Sequence, residues 1–454
     1  MTDLHIVNGS VIDGTGAAPR VESVLVENGR IVATGAAADA TAAARQPVRR
    51  LDAAGATVMP GLIDGHTHVS FDEPNSNDEL FFHRRHALAA IVAARNAKRI
   101  LQSGVTGIMD ADSIFELGID LRDAIEAGIV DGPRISSGAY ALWTSVGGTA
   151  GRLIPDRGVM GYGKVVAGRD EIVGEVRRQI KAGADWIKVH VTGLVPRHPL
   201  RGEVKSWSLD ELKCVCDTAH ELGIPVLGHV RGADSIRDCV AAGMDLILHA
   251  TLMDETALEA VVGSRTPIMP VFTFQANLAD FGATVGAAPM VMEMFRREIA
   301  DSATMLRRAY DAGVPLLCGS ESGFSITPYG EWHYRELEVF VRDLGLTPLQ
   351  AIQCATQANA FALRMSGQVG EILPGRLADL IVVAGDPSSD VTVLGDRTRL
   401  KHVFVAGREV DLTPDLPRGD PPGWRVSTYG ARLDQAVARG LRAAGRPATP
   451  EHEP

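Results

Sequence analysis

His66 and His68, in the stretch GLIDGHTHV, are two residues apart. On a β-strand, side chains two apart leave the same face. Two imidazoles on one face form half of a binding site for a divalent metal. His229 closes the apolar run IPVLGHV and His249 closes DLILHA, so two successive candidate strands end in a second such half-site. Lys188 lies between apolar neighbours in ADWIKVHV. As an ammonium it cannot ligate a cation. After reaction with CO₂ it would be a carbamate, an anion with two oxygens able to bridge two ions. The competing reading of Lys188 is a pair with an acid at the mouth of the fold. His190 shares a strand face with Lys188 and is expected either to orient substrate or to pack. Glu321 follows the apolar run VPLLCGS in the segment GSESG.

The elements that must position these groups alternate in type. Eight candidate strands (TVMPGLID, GVTGIMD, PRISSGA, ADWIKVHV, IPVLGHV, DLILHA, PIMPVFT, VPLLCGS) are separated in most cases by helical stretches such as DEIVGEVRRQIKAGA and SLDELKCVCDTAHELG. Gly follows several of these helices, as a C-cap would. Strand–helix alternation implies a parallel sheet, and eight units imply a closed (β/α)8 barrel, in which catalytic groups occupy the C-terminal ends of strands. No GxGxxG or GxxxxGK[ST] follows a strand, which argues against a nucleotide-binding doubly wound sheet. Short strands punctuated by Asn-Gly and Gly turns open the chain and recur near its other end. The expected division is a small β-sandwich domain from residues 1–58 and 366–420, a TIM barrel over 59–365, and a C-terminal extension over 421–454.

The stretch VMPGLIDGHTHV, the strand ADWIKVHVTG, the two later histidines and LLCGSESG together resemble the amidohydrolase superfamily. Within it the likeness is to the imidazolonepropionase-related, Xaa-Pro dipeptidase-like branch, which also includes enzymes hydrolysing phenylureas and thiocarbamates. The resemblance covers nearly the whole chain. It implies that His66 and His68 bind a first metal, that His229 and His249 bind a second, and that carboxylated Lys188 bridges the two. It also implies that the acid after the eighth strand binds the first metal and shuttles the proton. The family usually carries Asp in that position. Here it is Glu321, one methylene longer, in a site where ~1 Å of misplacement can cost ~10²-fold.

The expected reaction is hydrolysis of a C–N bond in an amide, urea or carbamate-like small molecule through a metal-bridging hydroxide, with Glu321 protonating the leaving nitrogen. Two zinc ions are expected, with Co²⁺ or Mn²⁺ fitting the same ligands. One alternative is a mononuclear deaminase or cyclic-amide hydrolase using His66, His68, His229 and Glu321. Another is a non-catalytic ligand-binding barrel. Arg231, two residues past His229, is expected to meet an acidic or carbonyl group of the substrate, against a rim salt bridge. Tyr140 and Trp143 in SSGAYALWTSVGG, His198 in GLVPRHPLRG, and Tyr329, Trp332 and His333 in TPYGEWHY follow strands three, four and eight. They are expected as pocket walls.

Composition narrows the remaining possibilities. The 454 residues are 45% hydrophobic and 22% charged, which excludes wholesale disorder. A net charge of −11 argues against nucleic acid or an anionic membrane as partner. Five cysteines do not form a disulfide framework, and Cys214 and Cys216 point ~200° apart on a helix. The expected protein is cytoplasmic, homo-oligomeric and directed at a small molecule, with no signal peptide and no membrane span.

Overall fold

The computed structural model describes residues 3–45, 48–74, 85–148, 154–194 and 203–415, with residues 419, 435, 439, 440 and 442. Most of the expected C-terminal extension therefore lies outside the described residues. Parallel strands alternate with helices in a TIM-barrel-like α/β arrangement, and a separate sheet takes strands from both ends of the chain. No helix among the described residues is long and apolar enough to cross a membrane.

The separate sheet has eight strands, seven on one hydrogen-bonded path and one, Arg49–Asp52, pairing beside it with Leu4–Val11. Leu4–Val11 and Arg20–Glu27 form its N-terminal part, and Leu380–Val383 and Leu400–Val405 its C-terminal part. The two parts meet where Thr57–Pro60 pairs antiparallel with Leu380–Val383 and parallel with Leu4–Val11. TVMPGLID, expected as one strand, thus serves two sheets. It breaks at Gly61, where an added Cβ would stand 2.2 Å from Thr106 Oγ1, and resumes as Leu62–Thr67.

In the central part, Leu62–Thr67, Val105–Asp110 and Arg134–Ser137 form one parallel set. Ile187–His190, Val226–Arg231, Leu246–Thr251 and Ile268–Met269 form another. The sets adjoin at Ser137, whose carbonyl accepts the amides of Asp185 and Trp186 at 2.9 and 3.2 Å. PRISSGA is where the sheet is interrupted. After Ser137 the chain turns through Ala139 at φ +50°, and Ala141–Trp143 continues beside Ile187–His190. The eighth segment, VPLLCGS, makes an isolated bridge from Leu316 to Ile268, and Ser322 just beyond it bridges Thr67, in place of a continuous strand. Two of its amides are satisfied by side chains: Cys318 N donates to Asn359 Oδ1 and Ser320 N to Asp64 Oδ1, both at 3.0 Å. Those amides are withheld from a ladder.

Local chemistry sets the helices. Ser208 and Glu211 form a capping box before Leu209–His220. Gly183 and Gly243, at φ +104° and +86°, end the helices Arg169–Ala182 and Ala233–Ala242 in the left-handed conformation. Each stop lets the chain turn at once into the strand that carries Lys188 or His249.

Candidate active site

Register brings the strand-end groups together. Lys188 lies opposite Leu227 and His190 opposite His229, so the two strands present Lys188, His190 and His229 on one side. The rings of His190 and His229 stack with centroids 4.9 Å apart and planes 4° from parallel. His249 lies opposite Val230, and the register shifts just beyond that pair, so that Arg231 faces Thr251. His249 adopts φ +68°, which swings its ring to 4.4 Å from that of His229 and 5.7 Å from that of His66. His66 and His68 converge with their Nε2 atoms 3.2 Å apart. All five histidines and Lys188 line one cavity of 990 Å³, together with Arg231 and Glu321.

Two carboxylates in this cavity are absent from the sequence-based set. Asp112 is buried and accepts Lys188 Nζ on Oδ1 and pairs with His190 Nε2 on Oδ2, both at 2.6 Å. With His66 and His68 it forms a group whose ligand atoms lie within 4.8 Å of one another. Glu203 pairs with His229 Nε2 at 2.9 Å and accepts Thr192 Oγ1 at 2.7 Å. Asp112 was accessible in principle, because GIMDAD ends a candidate strand in acids as GHTH ends one in histidines. Glu203 carries no such signal, since it enters from the loop beyond the fourth strand.

Burial tunes these groups. It lowers His66 and His249 well below the ordinary histidine range and brings His68 and His190 to about 4, so the rings are neutral near pH 7. Neutral imidazole is the form that ligates a metal. Burial works to raise Asp112, but Lys188 and His190 outweigh it and hold the carboxylate well below its usual range. Glu203 is likewise held low by His229 and Arg231 against its burial. Glu321 goes the other way. Removal from water lifts it to about 7, against the pull of Arg231 and Lys188.

The expected pocket walls divide. Tyr140, Trp143, Tyr329 and His333 do not line the cavity. Tyr140 donates to Glu175 at 2.7 Å inside the core. Trp143 packs behind the wall against Tyr162 and His190, and Tyr162 faces the cavity instead. Tyr329 donates to His68 O at 2.6 Å, fixing that histidine from behind. His333 pairs through Nδ1 with Asp64 Oδ2 at 2.6 Å, and Asp64 in turn accepts the amides of His66 and Ser320. Trp332 packs on Phe281. His198 lies outside the described residues. The walls that do face the cavity include Phe71, Phe274, Phe295 and Phe324.

Donor chemistry fits divalent metal. His66 Nδ1, His190 Nδ1 and both nitrogens of His249 are buried without a hydrogen-bond partner. Such atoms are expensive to leave unsatisfied.

A model described as the amidohydrolase family matches residues 57–410. Ochratoxinase of Aspergillus niger is 28% identical over 430 residues, spanning 89% of this chain and 85% of that protein. Imidazolonepropionase of Ralstonia nicotianae is 26% identical over 406 residues, spanning 86% and 93%. The crystal structure of a Xaa-Pro dipeptidase with bound methionine in the active site superposes with a TM-score of 0.77 at 27% identity, over 90% of this chain and 99% of that one.

Proposed function

The chain belongs to the amidohydrolase family and is an enzyme that hydrolyses C–N bonds, and from that premise we propose a metal-dependent hydrolase of an amide, urea or carbamate-like small molecule. The reading takes the fold as a closed eight-stranded barrel over residues 59–365, with a β-sandwich from 1–58 and 366–420. One observation carries the metal assignment: His66 and His249, which hold buried nitrogens without a hydrogen-bond partner, line the same cavity as His68, His229 and Lys188. His66 and His68 would hold one ion, His229 and His249 another, with Lys188 carboxylated between them and released from Asp112. Such ions polarise a carbonyl and lower the pKa of water to about 7.

The chain's own groups do the rest. Glu321 takes a proton at its carboxylate from the attacking water and returns it to the leaving nitrogen, a task suited to an acid lifted to about 7. Its backbone is held for this, because Glu321 N donates to His66 O at 2.8 Å and Thr327 Oγ1 donates to Glu321 O at 2.6 Å. Asp112 keeps His190 oriented, and Tyr329 and Asp64 fix His68 and His66 through their backbones.

The test combines metal counting with turnover. Zn²⁺- or Co²⁺-loaded and chelator-stripped protein are assayed on N-acyl amino acids, dipeptides, aryl ureas and thiocarbamates. About two ions per chain and metal-dependent turnover are expected. About one ion per chain moves the assignment to the mononuclear deaminase or cyclic-amide hydrolase. Equal turnover in stripped protein overturns the metal role.

A further inference from the structure

Arg231 stands in the cavity two residues past His229, where a substrate carboxylate would be expected to find it. It is already engaged at every nitrogen. Nε donates to Thr251 Oγ1 at 3.1 Å. Nη1 lies 3.5 Å from Glu203 Oε1. Nη2 donates to Glu298, on the helix Pro289–Asp311 that covers the cavity. Gln275, oriented so that its amide nitrogen donates to Val271 O at 2.8 Å, accepts from the same Nη2 at 2.8 Å. A planar guanidinium has five donors in a fixed fork. Two acids and two neutral acceptors occupy this one, so no bidentate face remains for a ligand.

The two acids also set the field. A substrate carboxylate placed beside Arg231 would stand close to Glu203 and Glu298, with Glu321 in the same cavity. Displacing Glu298 would cost its carboxylate the ion pair with Arg231. The pair is mostly shielded from water, at 16% and 19% exposure, and breaking such a pair is costly. The same cavity has an apolar, aromatic wall. Phe71 stacks on His68 at 4.3 Å, Phe324 meets Phe71 edge-on at 5.4 Å, and Phe274 meets Phe324 at 5.6 Å. Such rings prefer an aromatic or aliphatic group and offer nothing to an anion.

We infer that the site selects uncharged aromatic amides and related carbonyl compounds over carboxylate-bearing ones, and that Glu298 is the positioning residue that enforces this by occupying Arg231. The inference rests on the hydrolase reading of the same cavity and adds the substrate class. It separates this chain's preference from that of a peptidase, whose substrate carries a free carboxylate.

The experiment uses two molecules that differ at one position: N-benzoylphenethylamine, and N-benzoylphenylalanine, which bears a carboxylate in place of one hydrogen. Full-length metal-loaded protein should favour the former in kcat/KM by on the order of tenfold or more. In Glu298→Gln, which keeps size and removes the charge, one of the two acids that neutralise Arg231 is gone, and the ratio should fall by on the order of tenfold, mainly through KM for the carboxylate. Glu298→Asp should retain part of the wild-type preference, which a merely structural role for the side chain does not predict. Calorimetric Kd values for both compounds, measured on the same proteins, should follow the same order. Preference of the wild type for N-benzoylphenylalanine, or a ratio unmoved by Glu298→Gln, overturns the inference. If both bind in the expected order and neither is cleaved, the inference stands and the hydrolase reading fails. Binding of neither overturns the aromatic assignment of the wall.

Discussion

The core of the sheet and the floor of the cavity are equally dry and opposite in content. The sheet buries Leu4, Ile6, Val24, Val26, Leu380, Val382 and Phe404, each at 2% exposure or less, with no charge among them. The floor buries Lys188 at 0%, Asp112 at 1% and His66 at 1%. Apolar burial stabilises at roughly 25 cal/mol per Å². Burying an ion pair returns little net stability, and replacing such a pair with apolar residues is often neutral or favourable. The sheet is therefore built to hold the chain together. The floor keeps charges and neutral imidazoles where folding alone would not choose them, and a reaction is the reason to keep them.

That contrast is broken most sharply at its two poles. Lys188→Ala should lower metal content and turnover together, by ~10³-fold in kcat/KM, with partial rescue by added short carboxylic acids. Unchanged metal content and activity would remove the bridge from the assignment. Phe404→Ala should do the reverse, reducing unfolding free energy by ~3–5 kcal/mol in urea titrations while kcat per folded molecule holds. A fall in kcat with no change in midpoint would show that the sheet takes part in the chemistry.

Glu321 sits between the poles, with a smaller effect. Glu321→Gln should lower kcat by ~10²-fold where proton transfer limits the rate. Its φ of +54° places the longer side chain on a strained backbone beside His66, a setting found where geometry is over-determined for function. Glu321→Asp should accordingly slow the enzyme as well, because the shorter acid no longer reaches the same point. Faster turnover by Glu321→Asp would instead mark the glutamate as a poor fit to its own pocket.

Strand-borne groups were the legible ones. His66, His68, Lys188, His190 and His229 follow the two-residue period of a strand, so spacing alone predicts a shared face. His249 and Glu321 were legible in place but not in direction, since both adopt positive φ. Tyr140 and Trp143 follow the break in the third strand, and the turn at Ala139 carries them into the core. No periodicity marks such a break. Arg231 divided two readings, substrate contact against ion pair, and its partner Glu298 lies 67 residues away on a helix whose placement depends on tertiary packing. The eighth strand was legible as an apolar run, but its amides go to Asp64 and Asn359, a long-range choice that local sequence does not encode.

The smallest effect is expected where the two regions touch. Arg134 begins a central strand and donates from Nε and Nη2 to the two oxygens of Asp379, at 2.6 and 3.0 Å. Asp379 also accepts the amide of Ala406 from the sheet at 2.7 Å, so one carboxylate ties strand to sheet. Arg134 is partly exposed and Asp379 buried, which places the pair between a rim contact and a core one. Arg134→Lys keeps the charge and loses the fork, so one of the two parallel bonds goes. A loss of ~1 kcal/mol in unfolding free energy is expected, with metal content and kcat unchanged. A loss near that of Phe404→Ala would mean that this contact, and not the apolar sheet core, sets the stability of the join. A change in kcat would mean that the sheet's hold on the strand reaches the cavity, and the division between a region that folds and a region that reacts would have to be withdrawn.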